Sequence, residues 1–238
     1  MDDLAEEVVR RIATELAARA DAKRAAPMSR YMRDQFPFYG VMSAGQNEAW
    51  VAASSGLPRQ PPEAVVVDAA QRLWQLPERE HQYLGCRLVN RMAESADASA
   101  ALLDTVERLI RTKSWWDTVD ALATRAVGSL VHRHPQLRPT MDRWLTDQDV
   151  WIVRSALLHQ NRWKADRDVA WLFASCLARA GDTDFFVRKA IGWALREHSK
   201  VDEQAVVAFV EEHQTELSGL SRREALMWLE RRRRRLGP

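Results

Sequence analysis

The sequence predicts an all-α fold, an α-solenoid built of stacked helix pairs. Three observations carry that expectation. No stretch alternates apolar and polar residues for any length, and nearly every segment carries apolar residues at helical spacing. Gly and Pro number 9 each in 238 residues, which suits long regular segments and disfavours glycine-rich phosphate loops. In the C-terminal two-thirds the helices pair, and the pairs resemble one another at a spacing of about 34 residues.

The bulk numbers agree. Hydrophobic residues make up 46% and charged residues 29%, the balance of a soluble globular chain rather than a disordered one. The net charge of +2 neither supports nor excludes a nucleic-acid partner, because a basic stripe can coexist with an acidic back. The opening MDDLAEEVV is acidic and amphipathic, unlike a signal peptide, and no run of 18 apolar residues occurs. A cytoplasmic protein with no membrane partner is expected. Cys86 and Cys176 stand far apart in apolar surroundings and read as reduced core thiols.

The elements follow in order. Residues 1–20 form one amphipathic helix. MSRYMRDQFPFYGV, residues 28–41, is aromatic-rich and broken at Pro37 and Gly40; a further helix follows from about Gln46. SSGLPRQPP, residues 54–62, is the clearest linker. Residues 1–62 read as a helical cap on the solenoid, and 63–238 as about five helix pairs of the same single domain. The first helices fall near 64–75, 99–111, 137–146, 167–179 and 202–213. The second helices follow turns at Leu76, Thr112, Thr146, Gly181 and Gly219. Their start signals are Pro77, Ser114, Asp147 or Asp149, Asp182 or Asp184, and Ser221, the last forming a capping box with Glu224.

The register is sharper than the starts. Val119, Val153 and Val187 stand 34 residues apart, each followed by a charge: Asp120, Arg154, Arg188. Leu122, Ala156 and Ala190, then Ala123, Leu157 and Ile191, recur in step. Such a period with two helices per unit indicates HEAT-like repeats. Equivalent positions then line one surface, with Asp120, Arg154 and Arg188 in a row that Arg222 or Arg223 extends. Arginines in a row suit a phosphate backbone. A carboxylate there repels phosphate. Either it does chemistry, or it pairs with a neighbour such as Arg154; the pattern leaves both open. Trp116 stands four residues before Asp120 and shares its helix face, whereas its neighbour Trp115 turns toward the core.

Other clusters carry less. His132-Arg133-His134 lacks further ligands at metal spacing, so no metal is expected. No GxSxG, P-loop or dinucleotide fingerprint occurs. Arg231 to Arg235 form a terminal run of five arginines that suits a solvated helix end.

The blocks PMSRYMRDQFPFYG, LWQLPERE, TKSWWDTVD, DVWIVRSA, FFVRKAIGWALRE and LSRREA, in that order, resemble the AlkD-type alkylpurine DNA glycosylases, a bacterial family of HEAT-like repeat proteins. The resemblance covers almost the whole chain. It implies a C-shaped solenoid that wraps duplex DNA in a basic concave channel. It implies hydrolysis of the N-glycosidic bond of cationic alkylpurines such as 3-methyladenine and 7-methylguanine, by a monomer that needs no cofactor. The family's catalytic aspartate falls on Asp120, its cleft tryptophans on Trp116 and Trp193, a phosphate-contacting arginine on Arg154 and a cleft tyrosine on Tyr31. Arg188, Lys189, Lys113 and Ser114 complete the expected DNA-binding set. Two alternatives stand beside this reading: a non-catalytic helical-repeat scaffold, and a self-resistance glycosylase for bulky minor-groove adenine adducts. A nucleoid-associated place in the cytoplasm follows from the same likeness.

Overall fold

The computed structural model describes residues 2–236, and among them every regular element is helical. This is the helical-repeat solenoid architecture that the spacing predicts. The chain forms two compact units, residues 1–113 and 114–238. The boundary falls between the two helices of the second expected pair. None of the described helices is long and apolar enough to cross a membrane.

The first unit contains α1 (Asp2–Ala17), α2 (Ala22–Tyr31), α3 (Ser43–Ser54), α4 (Glu63–Gln75), α5 (Arg79–Glu94) and α6 (Leu102–Arg111). The cap residues do not stand apart from the repeats: α1 packs on α3, α4 and α5. Ala5, Val8, Ile12 and Leu16, spaced three or four residues apart, are its buried stripe. Helix α2 departs from the sequence expectation, which placed only an aromatic-rich segment there. Asp21 starts it by accepting bonds from the amides of Lys23 and Arg24. It buries no residue and carries Pro27 inside, a residue that argues against a helix.

The loop after α2 is held by one carboxylate. Glu80 is fully buried, and its oxygens accept the amides of Tyr39 (3.1 Å), Gly40 (2.9 Å) and Val41 (3.0 Å). Gly40 sits at φ +87° against the Asp21 carbonyl, where a Cβ would clash. Next to Glu80, the buried Arg79 lies 3.8 Å from the centre of the Phe36 ring and donates to the Lys113 carbonyl (2.8 Å).

The second unit contains α7 (Trp116–Ala121), a π-helical stretch (Leu122–Val127), α8 (Gly128–Arg133), α9 (Arg138–Leu145), α10 (Val150–Leu158), α11 (Val169–Ala178), α12 (Phe185–Ser199), α13 (Glu203–Glu212) and α14 (Gly219–Leu236). Helix α10 packs on α7, α12 on α10, and α14 on α12, so the second helices of the repeats stack in chain order. Val119, Val153 and Val187 are all 0% exposed. The two companion triplets of the repeat are buried with them, each large member contributing about 1.5–3 kcal/mol of burial. The 34-residue register is therefore a packing register.

Asp149 caps α10 by accepting the Trp151 amide, and Asp184 caps α12 through the amides of Phe186 and Val187. Asp147 and Asp182 each brace the capping residue by accepting its amide (2.8 Å in both). Three expected starts need correction. The residue preceding α5 is Glu78 and that preceding α7 is Trp115; neither Pro77 nor Ser114 is the cap. Ser221 and Glu224 do not form a capping box. Ser218 caps α14 by accepting the Ser221 amide (3.0 Å), one turn earlier than expected. Ser221 is thereby inside the helix, and its hydroxyl donates to the Arg188 carbonyl of α12 (2.8 Å). Glu224 turns to Arg196. Both thiols are buried and unbridged, and burial pushes Cys176 up to about 12. The terminal arginine run continues α14; Arg232 pairs with Glu203 at 3.3 Å, while the side chains of Arg233 and Arg235 lie outside the described residues.

Candidate active site

Helix α7 begins at Trp116. The residue before it, Trp115, is extended (φ −158°, ψ 159°) and buried. Its ring packs on Trp151 (5.5 Å) and Phe186 (5.2 Å), and those two rings lie 4.6 Å apart. Three successive repeats thus each give one aromatic ring to a cluster at the starts of α7, α10 and α12. Trp115 is the core member of the Trp pair, as its position predicts. Trp116 is half-buried and stands one helical turn before Asp120.

Asp120 does not stand alone. Arg154 from α10 grips it with a two-pronged fork: Nε donates to Oδ1 at 2.7 Å and Nη2 donates to Oδ2 at 2.8 Å. The third nitrogen, Nη1, donates to the Phe186 carbonyl at 2.7 Å. The Arg154 side chain is 4% exposed and that of Asp120 is 17% exposed. The arginine is spent inside the protein and the carboxylate keeps an open edge. The pairing with Arg154 that the row of charges allowed is therefore made. The physical reason is that a carboxylate and a guanidinium on adjacent repeats, each losing water, do best bonded to each other.

Burial pushes the Asp120 carboxyl above the ordinary aspartate range. The hydrogen bonds and charge of Arg154 work against that push, as does the more distant charge of Lys189. The Arg154 guanidinium also lies 5.9 Å from the Trp193 ring centre. Trp193, half-buried on α12, donates its indole N–H to Glu197 at 3.2 Å. Asp120, Arg154 and Trp193 are therefore brought together within the second unit.

The remaining expected site residues divide. Lys189 is 44% exposed, lies 5.6 Å from the Phe185 ring centre and 3.8 Å from Glu224. Arg188 is half-buried, with its Nε 3.4 Å from the Asp184 carbonyl. Ser114 is half-buried ahead of α7. In the first unit Tyr31 ends α2 and is 71% exposed. Lys113 takes a left-handed conformation (φ 51°), and its ammonium folds back to donate to the Leu76 carbonyl at 2.6 Å. Sequence reasoning missed Trp151, Phe186 and Glu197. The first two had only a weak signal, an aromatic residue near the start of each of α7, α10 and α12. Glu197 had only its place one turn after Trp193.

The helical-repeat fold has counterparts among known proteins. The family model for DNA alkylation repair enzymes matches residues 12–229. The chain belongs to that family. A solved structure described as a predicted DNA alkylation repair enzyme from Enterococcus faecalis is similar in fold. Its TM-score is 0.76 at 29% identity, over 89% of this chain and 97% of that one. A search of curated proteins gives no match. Membership assigns the protein to repair of alkylated DNA, with DNA as its partner.

Proposed function

We propose that the protein is an AlkD-type DNA glycosylase. It hydrolyses the N-glycosidic bond of purines made cationic by alkylation at N3 or N7. The observation that carries this reading is the Asp120–Arg154 fork, a carboxylate fixed at both oxygens yet open at one edge.

The chemistry asks for that arrangement. A cationic alkylpurine is already a good leaving group, so no strong general acid is required at the base. It departs with the electron pair of the C1′–N bond and becomes neutral. The positive charge passes to the sugar, which gains oxocarbenium character. A fixed carboxylate opposite that charge lowers the barrier without having to reorganise. Each Asp120 oxygen accepts one bond from Arg154 and has a second lone pair left. Through it Asp120 orients a water at C1′ and takes the proton released as the new C–O bond forms. The indole faces of Trp116 and Trp193 add attraction for the cationic sugar, about 0.5–2 kcal/mol each. Arg188, Lys189, Ser114, Lys113 and Tyr31 are proposed as contacts to the DNA itself.

The test is release of free 7-methylguanine or 3-methyladenine from alkylated duplex DNA, with Asp120→Asn as the control. Wild-type protein that binds such DNA without releasing base would make it a scaffold instead.

A further inference from the structure

Trp193 occupies the middle of α12 with its indole beside Arg154. An indole at such a position turns about two side-chain bonds unless something holds it. Its N–H is the only polar handle. Here that handle is taken: Nε1 donates to Glu197 Oε1 at 3.2 Å, one turn along the same helix. Glu197 is in turn held by Lys200, whose Nζ reaches both carboxylate oxygens at 2.6 and 2.7 Å. The buried Arg167 feels the same carboxylate, which works against the downward push that burial gives its guanidinium. Lys200 thus braces the carboxylate that the indole uses as its anchor.

The geometry points to Glu197 as the positioning residue for Trp193 in base excision. It rests on the proposed glycosylase reading. Its carboxylate fixes the rotamer that keeps the indole beside Arg154, and with it the ring face offered to the sugar. The bond has a second effect. A carboxylate accepting an indole N–H draws positive charge toward the ring edge and leaves the π-face more negative. Such a face attracts a cationic sugar more strongly than that of an unpaired indole. Glu197 touches neither the Asp120 carboxylate nor the Arg154 guanidinium, so its effect passes through Trp193 alone.

The experiment pairs a structural readout with a kinetic one. The indole N–H resonance of Trp193, assigned through Trp193→Phe, is followed by NMR in full-length wild type, Glu197→Gln and Glu197→Ala. Single-turnover release of 7-methylguanine and DNA affinity are measured on the same proteins and on Trp193→Ala with and without Glu197→Ala. In Glu197→Ala the indole resonance moves and its proton exchanges faster. Excision slows on the order of tenfold with DNA affinity unchanged, as a loosened catalytic contact would cause. Glu197→Gln, which still accepts the bond, recovers most of the rate. In the Trp193→Ala background Glu197→Ala changes nothing further. An unmoved resonance, or an equal rate loss with and without Trp193, overturns the assignment. A wild-type protein that releases no base sinks the glycosylase reading by itself, while the resonance still decides whether Glu197 holds the indole.

Discussion

Each unit of the molecule contains a buried carboxylate, and the two are built in opposite ways. Glu80 in the first unit is fully enclosed and accepts three backbone amides of one loop. Asp120 in the second accepts two bonds from a single guanidinium and keeps 17% of its side chain in reach of solvent. Burial pushes both above the ordinary carboxylate range. Glu80 has the whole of its environment made of the protein's own amides, so its place is that of a clamp. Asp120 is equally fixed but has an unfinished side. Burial by itself therefore does not separate the two; a rigid hold with one side still in reach of solvent sets the proposed catalytic carboxylate apart.

The sharpest way to break this contrast is to neutralise each acid in turn. Asp120→Asn should slow base excision by about 10²–10³-fold, the size of a lost preorganised electrostatic contact. Single-turnover release of 7-methylguanine measures it, with circular dichroism to show that the variant is folded. Glu80→Ala should do the reverse. Three amides, two of them in buried bonds, lose their acceptor, and denaturant melts should report a loss of about 3 kcal/mol. Excision by the surviving folded protein should stay near wild type.

The pH axis sharpens the same contrast. In the proposed reaction Asp120 works as the anion, and burial raises its pKa, so excision should fall on acidification at a higher pH than an ordinary aspartate would dictate. Stability moves for a different reason. His159 is buried neutral, against Trp163 and Trp171, and burial lowers its pKa to about 4. The unfolded chain binds a proton there near pH 6.5 and the folded chain does not. Its contribution is complete above that value and is lost as the pH falls toward 4. Denaturant melts at pH 7 and pH 5 should differ by about 2 kcal/mol on this account. His81 and His198, also lowered by burial, act in the same direction. The acid limb of excision is thus to be read beside a stability measurement at each pH.

The smallest expected effect tests the fork itself. Arg154→Lys keeps a positive charge beside Asp120 and removes the two-pronged grip. Excision should slow by roughly tenfold, because the carboxylate is held less firmly rather than lost. DNA affinity should change little, since the guanidinium is spent inside the protein. A large loss of affinity with an unchanged excision step would restore Arg154 to the role of a phosphate contact.

Much of this was legible in the sequence where local chemistry decides. The helices expected in the five pairs lie within a few residues of their expected positions, because the apolar period that marks a helix is the same period that buries it. The Val119, Val153 and Val187 register emerged for that reason, and so did Asp149 and Asp184, whose short carboxylates reach the amides of their own turn. Helix α2 was hidden because Pro27 lies inside it. The cap of α14 was misplaced by one turn, because Ser218 and Ser221 are both competent and only the tertiary partner of Ser221, the Arg188 carbonyl, distinguishes them.

The sequence by itself determined an all-helical repeat chain with an acid set oddly among arginines. Repetition is a one-dimensional property, and a 34-residue period survives any arrangement of the helices in space. What only the tertiary structure decided is what each charge faces. Asp120 and Arg154 share a repeat position, and that position alone leaves open whether they face outward side by side or pair. Stacking α10 on α7 brings them within hydrogen-bonding distance, where a largely buried guanidinium left without its carboxylate would be costly.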